Sequence, residues 1–154
     1  MTACSESTTE DDIEAFIKDY KTKQYTINDL TQLAGKHPVE INAIFSEKLE
    51  SYLSEDELEN LTINRFFLVT PNVAIAANKK VKLETISLEK VEDNEDGSIN
   101  YNYTLEIDYY DDQSSEIIEK EGQLTILVND DELKITRDWE KMTQFEEEVL
   151  SRSH

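Results

Sequence analysis

The sequence predicts an α+β fold in which N-terminal helices pack on a curved, four-stranded antiparallel meander sheet. Two observations indicate this fold. Apolar residues recur at helical spacing from residue 11 to residue 61, and beyond Lys80 they alternate with polar residues at strand spacing, with short acidic turns between the alternating segments. Because short connections make consecutive strands antiparallel neighbours, and the apolar face of such a sheet must be covered, we expect the helices to lie on it.

The helices are predicted in chain order from apolar spacing and from capping residues. The first covers 11–23, with acidic residues in its first turn and lysines in its last. A short second helix is predicted for 26–35, where Thr26 and Asp29 have capping-box spacing and Gly35 marks the end. A third helix begins at Pro38 and is followed by a turn and a further helix from Ser54 to Leu61.

The strands are predicted over 81–91, 101–109, 122–128 and 133–139. In the first of them the apolar phase slips between Leu83 and Ile86, which indicates a β-bulge. We therefore divide the chain into a flexible tether at 1–10, a single domain at 11–139, and a tail at 140–154 that either docks as a helix or frays.

The charge balance excludes two classes of partner. The chain of 154 residues carries 35 Asp and Glu against 15 Lys and Arg, a formal net charge of −20. Binding a nucleic acid or an anionic lipid surface requires clustered Lys and Arg, so neither is an expected partner. No stretch has the roughly 20 consecutive apolar residues of a membrane-spanning helix.

Residues that could carry chemistry are few. The segment 92–103 matches an EF-hand loop for half its length, but Tyr103 stands where the bidentate glutamate belongs, so a hairpin turn is expected instead. His37 precedes Pro38 at a helix start, where a polar capping neighbour is the ordinary interpretation. The chain has one Cys and three widely spaced Gly. We therefore predict no catalytic residue, no metal site and no cofactor.

Cys4 is the most informative single residue. The segment Thr2-Ala3-Cys4-Ser5 resembles the end of a bacterial lipobox, in which small residues precede the cysteine that becomes lipidated. The polar residues that follow suit a spacer between membrane and domain. This predicts an extracytoplasmic protein anchored to the cell membrane only through a lipid on Cys4. The alternative is a cytoplasmic protein with an incidental cysteine on a disordered terminus.

The order of elements resembles the nuclear transport factor 2-like superfamily. The resemblance rests on the aromatic first helix FIKDY, on FSEKLESYL ahead of a turn, and on the closing strand LKITRDW, within residues 11–139. It implies a cone in which a curved sheet wraps around helices. The superfamily includes acid–base isomerases and dehydratases, and also non-enzymatic envelope domains such as conjugation-channel components. No enzyme motif of the superfamily matches this chain, so no catalytic residue is carried over.

Three functions remain as hypotheses. The first is a non-enzymatic, lipid-anchored extracytoplasmic domain that binds a protein or cell-envelope partner. The second is a small-molecule-binding protein or acid–base enzyme that uses the cone, with aromatic pocket walls. The candidate wall residues are Tyr20, Tyr101, Tyr103, Tyr109 and Trp139. The third is an acidic inhibitor or immunity protein that neutralises a basic partner.

Overall fold

The computed structural model describes residues 9–130 and 132–152, so Cys4 and most of the predicted tether lie outside the described residues. The described chain confirms the α+β fold, with helices followed by an open four-stranded antiparallel meander. The helices are α1 (Glu10–Gln24), α2 (Pro38–Leu49), α3 (Glu55–Ile63), α4 (Val69–Ala77) and α5 (Gln144–Arg152). The strands are β1 (Lys80–Asp93), β2 (Ser98–Tyr110), β3 (Ser115–Asn129) and β4 (Glu132–Glu140).

Helix α1 begins where its capping residues place it. Thr9 accepts a hydrogen bond from the backbone N–H of Asp12 at 3.1 Å, and the Asp12 carboxylate accepts one from the N–H of Thr9, which completes a capping box. Ile13 and Ile17 of this helix are buried. Lys21, four residues after Ile17, continues the same buried stripe, so one face of α1 brings a charge into the interior.

The predicted second helix is wrong in most of its length. Only a 3₁₀ turn forms, at Leu30–Gln32, and its N-cap is Asp29 rather than Thr26. The cause is the backbone of Ile27, which exchanges two hydrogen bonds of 2.9 Å with Val81 at the start of β1. This bridge holds the segment extended, so the local capping pattern is overridden by pairing with the sheet.

The edge of the sheet also shortens the third predicted helix. Helix α2 ends at Leu49 and is followed by a 3₁₀ turn at Glu50–Tyr52. Leu53 then bridges Ile135 in parallel, and the N–H of Ser54 donates to the Ile135 carbonyl at 3.0 Å. Ser54 caps α3 as predicted, since its hydroxyl accepts from the N–H of Glu57 at 3.2 Å.

The sheet has the strand order β1-β2-β3-β4. The predicted bulge in β1 is confirmed, because the register shifts between Leu83 and Thr85. The turn between β1 and β2 contains Gly97 at φ +90°, and Asp96 accepts from the N–H of Ser98 at 2.9 Å. This is the hairpin expected in place of an EF-hand loop. No group of three or more His, Cys, Asp or Glu suited to a metal ion occurs in residues 9–130 and 132–152.

The inner face of the sheet packs against the helices, and the C-terminal segment completes that packing. Helix α5 lies on α4, with Val149 buried, and Tyr109 of β2 contacts the ring of Phe145 at 5.2 Å between centroids. Residues Gln144–Arg152 therefore form a helix, and Val149 of this helix belongs to the buried core. None of the helices in the described chain is long and apolar enough to cross a membrane.

Candidate functional site

A buried ionic cluster lies on the inner side of the sheet, between the sheet and α1. We call it the polar core, and it consists of two lysines and three carboxylates. Their side chains are 0–4% exposed. The members are Lys21, Lys120, Asp138, Glu140 and Glu146.

The two ammonium groups each join two carboxylates. Lys21 Nζ lies 2.7 Å from Asp138 Oδ2 and 2.5 Å from Glu140 Oε2. Lys120 Nζ lies 2.7 Å from Glu146 Oε2 and 3.5 Å from Glu140 Oε1. Glu140 is therefore shared between both lysines, and the cluster connects α1, β3, β4 and α5 in one network.

A bulge in β4 aims these carboxylates inward. Asp138 pairs with Leu124 and Glu140 pairs with Gly122, whereas the register shifts by one residue at Thr136. Because side chains alternate between the two faces of a strand, one extra residue moves every later side chain to the opposite face. Asp138 and Glu140 therefore point to the core, and Trp139 points outward.

Trp139 is thus the predicted pocket-wall residue that the structure places elsewhere. Simple alternation with Ile135 predicts an inward side chain, but the bulge leaves Trp139 49% exposed on the outer face of the sheet. The other four predicted wall residues, Tyr20, Tyr101, Tyr103 and Tyr109, are all buried on the inner side.

Two of the four buried tyrosines predicted as wall residues bind the polar core. The Tyr20 hydroxyl donates to Asp138 Oδ2 at 2.8 Å. The Tyr103 hydroxyl is 2.5 Å from Asp138 Oδ1 and 3.0 Å from Glu140 Oε2. Tyr25, which the sequence reasoning did not select, donates to Glu140 as well. Tyr101 and Tyr109 make no such contact with the core carboxylates, so the predicted set is divided by the structure.

The absence of a side chain at Gly122 allows Tyr103 to reach the carboxylates of the polar core. Tyr103 on β2 and Glu140 on β4 both stand opposite Gly122 of β3. A Cβ at residue 122 would lie 2.5 Å from the Tyr103 hydroxyl oxygen and 2.6 Å from the Trp139 carbonyl oxygen, much closer than van der Waals contact. The missing side chain leaves the space through which the Tyr103 ring crosses β3 to the carboxylates.

Burial and charge shift the carboxyl pKa values in opposite directions. Burial raises the pKa of Asp138, and the neighbouring Glu140 charge adds to this against the opposing effect of Lys21. Burial acts on Glu140 in the same sense, but the charges of Lys21 and Lys120 and the hydrogen bonds from Lys21 and Tyr25 outweigh it and lower the pKa of Glu140 to about 2. Glu140 is therefore the carboxylate of the cluster that stays charged at neutral pH.

Burial also raises the pKa of the Tyr20, Tyr25 and Tyr103 hydroxyls well above the ordinary value, and the nearby carboxylates reinforce the effect. These hydroxyls stay protonated and act as hydrogen-bond donors. Glu57 provides the remaining link, because its carboxylate accepts the backbone N–H of Asp138 at 2.8 Å. The polar core is a stabilising network, because its donors and acceptors are hydrogen-bonded to neighbours in the same chain.

The outer face of the sheet has a different character. We define the outer acidic face by Trp139 and the carboxylates of Glu89, Glu106, Glu119 and Glu121. A concavity of ≈ 310 Å³ opens there beside Trp139. Its lining includes Glu89, Glu121, Gly122 and Lys141, and the backbone N–H of Lys141 donates to the Glu121 carbonyl at 2.9 Å.

Two further predicted residues have simple outcomes. His37 is the N-cap of α2, and its Nδ1 accepts from the N–H of Val39 at 3.2 Å, which is the capping role expected for it. Cys4 lies outside the described residues, so its lipidation stays a prediction.

The solved structures that share this fold include a fragment of TraM and the protein TraH. A periplasmic fragment of TraM matches at a TM-score of 0.56 and 10% sequence identity, over 89% of this chain and 100% of the fragment. The NMR structure of TraH from the Gram-positive conjugative plasmid pIP501 matches at a TM-score of 0.53 and 14% identity, over 90% of this chain and 98% of TraH. No protein-family profile and no curated protein matches the sequence. At these identities the likeness concerns the fold.

Proposed function

We propose that the protein is a non-enzymatic, extracytoplasmic component of a conjugative transfer apparatus and that it acts by binding a protein partner. The observation that carries this proposal is the fold similarity to the TraM fragment and to TraH, which extends along 89% and 90% of the chain. One of these proteins is described as periplasmic and the other belongs to a conjugative plasmid.

The inner side of the sheet supports a binding role over a catalytic one. An acid–base enzyme of this architecture needs an open pocket in which a carboxyl or hydroxyl can reach a substrate. Here Tyr20 and Tyr103 are buried together with Asp138 and Glu140, and their polar atoms are engaged with one another. Function is therefore assigned to the molecular surface.

A lipid on Cys4 is the anchor that we propose for this domain. Cys4 is preceded by Thr2 and Ala3, and only four residues lie between it and the helix cap at Thr9. Such a short tether would hold the domain close to the membrane surface. Diacylation gives stable anchoring where a single chain is marginal.

The transfer role is tested by deleting the gene from its native element and measuring the frequency of conjugative transfer. We expect transfer to fall and to recover when the wild-type gene is supplied in trans. An unchanged transfer frequency in the deletion strain would overturn the proposed function.

The anchor is tested separately by the mass of the N-terminal peptide, taken from protein expressed in its native host with the full upstream reading frame. We expect an N-terminal Cys4 that carries acyl chains. An unmodified peptide that begins at Met1 or Thr2 would exclude the lipid anchor and would favour the alternative hypothesis of a cytoplasmic protein.

A further inference from the structure

We infer that the outer acidic face binds an arginine- or lysine-bearing segment of the partner protein, with Trp139 as its aromatic contact. This inference rests on the proposed function, since it names the surface and the partner chemistry through which that function would be carried out. Three properties of the outer acidic face lead to it: uncompensated charge, an unfavourable facing pair of carboxylates, and an exposed aromatic ring beside a concavity.

The carboxylates of the outer acidic face lack partners of their own. Within the described chain, no hydrogen bond or ion pair engages the carboxylates of Glu89, Glu119 and Glu121, whereas Glu106 accepts only a hydroxyl hydrogen bond of 2.7 Å from Thr85. Some other acidic residues of the sheet are paired with lysines, as Asp93 is with Lys90 at 2.8 Å and Asp108 is with Lys82 at 3.9 Å. Lys141 lines the same concavity but forms no ion pair with these carboxylates within the described chain. The outer acidic face therefore keeps a net negative charge that is available to a cation from another molecule.

Two of these carboxylates face each other across neighbouring strands. Glu106 of β2 is directly opposite Glu119 of β3, and Glu121 follows on the same face two residues later. Like charges placed directly opposite in a sheet destabilise it. A cationic side chain bound between Glu106 and Glu119 would replace this repulsion by attraction to both carboxylates. Binding such a ligand would therefore stabilise the sheet.

Trp139 adds a contact that charge alone does not provide. Its indole is 49% exposed at the end of a row that crosses all four strands through Glu89, Asn102 and Gln123. An exposed indole attracts an ammonium or guanidinium placed over its face, and guanidinium also stacks on it. The carboxylate of Glu89 and the ring of Trp139 thus offer two cation contacts at opposite ends of one row.

The dimensions of this row favour a peptide segment over a small ion. Neighbouring strands lie about 4.8 Å apart, so three spacings carry the row across roughly 14 Å, which an extended chain covers with about four residues. The concavity of ≈ 310 Å³ beside Trp139 has room for a long basic side chain. The occupant is therefore an extended basic segment laid across the strands.

The fluorescence of Trp139 makes the test direct, because this is the chain's single tryptophan. The probe is a synthetic peptide of alternating arginine and serine, with a peptide of alternating glutamate and serine as its counterpart. We expect the arginine peptide to change the emission of Trp139 in a saturable way and to lose affinity as salt rises. The glutamate peptide is expected to cause no change.

Matched variants separate this site from general attraction to an acidic protein. Glu119→Gln/Glu121→Gln removes two charges from the outer acidic face, and Glu47→Gln/Glu59→Gln removes two exposed charges from α2 and α3. We expect about tenfold weaker binding for the first pair and less than about twofold for the second. Trp139→Ala, followed by the anisotropy of a labelled peptide, is expected to weaken binding about two- to fivefold.

Equal effects of the two double variants, or binding without any change in Trp139 emission, would overturn the inference. Circular dichroism and urea unfolding establish that each variant is folded. The same variants distinguish the two proposals in donor cells. If deletion of the gene abolishes transfer but Trp139→Ala and Glu119→Gln/Glu121→Gln restore it fully, the proposed function stands and this surface is not its binding site.

Discussion

Replacing Gly122 by alanine tests how the polar core is built. Its added Cβ would stand 2.5 Å from the Tyr103 hydroxyl oxygen and 2.6 Å from the Trp139 carbonyl oxygen. The first contact is relieved only if the Tyr103 ring moves, and that movement breaks the hydrogen bonds of 2.5 and 3.0 Å to Asp138 and Glu140. The second involves backbone, which gives way less easily.

The expected loss of stability is the sum of opposing contributions. Overpacking a tight interior costs about 1–3 kcal/mol. Losing a hydrogen bond from Tyr103 to charged carboxylates costs about 1.5–3 kcal/mol. Alanine in place of glycine restricts the unfolded chain and returns about 0.4–1 kcal/mol. We therefore expect Gly122→Ala to lower the free energy of unfolding by about 2–5 kcal/mol.

Urea unfolding of single and double variants measures this value and its origin. In a Tyr103→Leu background the ring is absent, so Gly122→Ala is expected to cost at least about 1 kcal/mol less than in the wild type. Gly35→Ala serves as the control, because Gly35 has open space around it but a φ of +80°. Its cost of about 1–2 kcal/mol is expected to be the same in both backgrounds. A Gly122→Ala penalty that is independent of Tyr103 would show that the clash with the Tyr103 ring is not its cause.

Three further predictions concern the two faces of the sheet. Lys21→Met leaves Asp138 and Glu140 buried without their shared cation, and it is expected to lower the free energy of unfolding by about 3–5 kcal/mol in urea titrations, whereas a change below about 1 kcal/mol would contradict the buried pairing. The pKa of Glu140 is lowered to about 2 from the ordinary 4.5, so its stabilising contribution is complete above pH 4.5 and is lost as the pH falls towards 2. The stability difference between the wild type and Glu140→Gln is accordingly expected to shrink over that range, and a difference that stays constant would exclude this role. Trp139 emission is expected to be quenched more by caesium than by iodide in the native protein, because the concavity beside the ring is lined by the carboxylates of Glu89 and Glu121 against the one ammonium of Lys141. Equal quenching would argue against a negative potential there.

Most of the fold could be predicted because it depends on local pattern. Alternation along 101–109 locates β2, and the slip between Leu83 and Ile86 locates the bulge in β1. The failures occur where backbone pairs over a long sequence distance. Ile27 bridges Val81 and Leu53 bridges Ile135, and neither pairing leaves a trace in the spacing of nearby residues.

The polar core could not be predicted from the sequence for a related reason. The segment Leu133, Ile135, Arg137, Trp139 alternates so regularly that the bulge at Thr136, which reverses the faces of Asp138 and Trp139, has no sequence signal. The two lysines of the polar core, in contrast, have a recognisable sequence signal. Lys21 continues the buried stripe of α1, and Lys120 occupies an inward position of β3. Charged residues in core phase indicate buried ion pairs, but their partners become visible only in three dimensions.

A photoreactive phenylalanine analogue at position 139 would show whether the domain binds a protein partner through its outer face. Donor cells carrying the full-length protein are irradiated during mating, and the covalent products are identified by mass spectrometry. We expect a product that joins position 139 to another component of the transfer apparatus, with no such product from the same analogue at position 47. Absence of a product at position 139, or the same product from both positions, would contradict it.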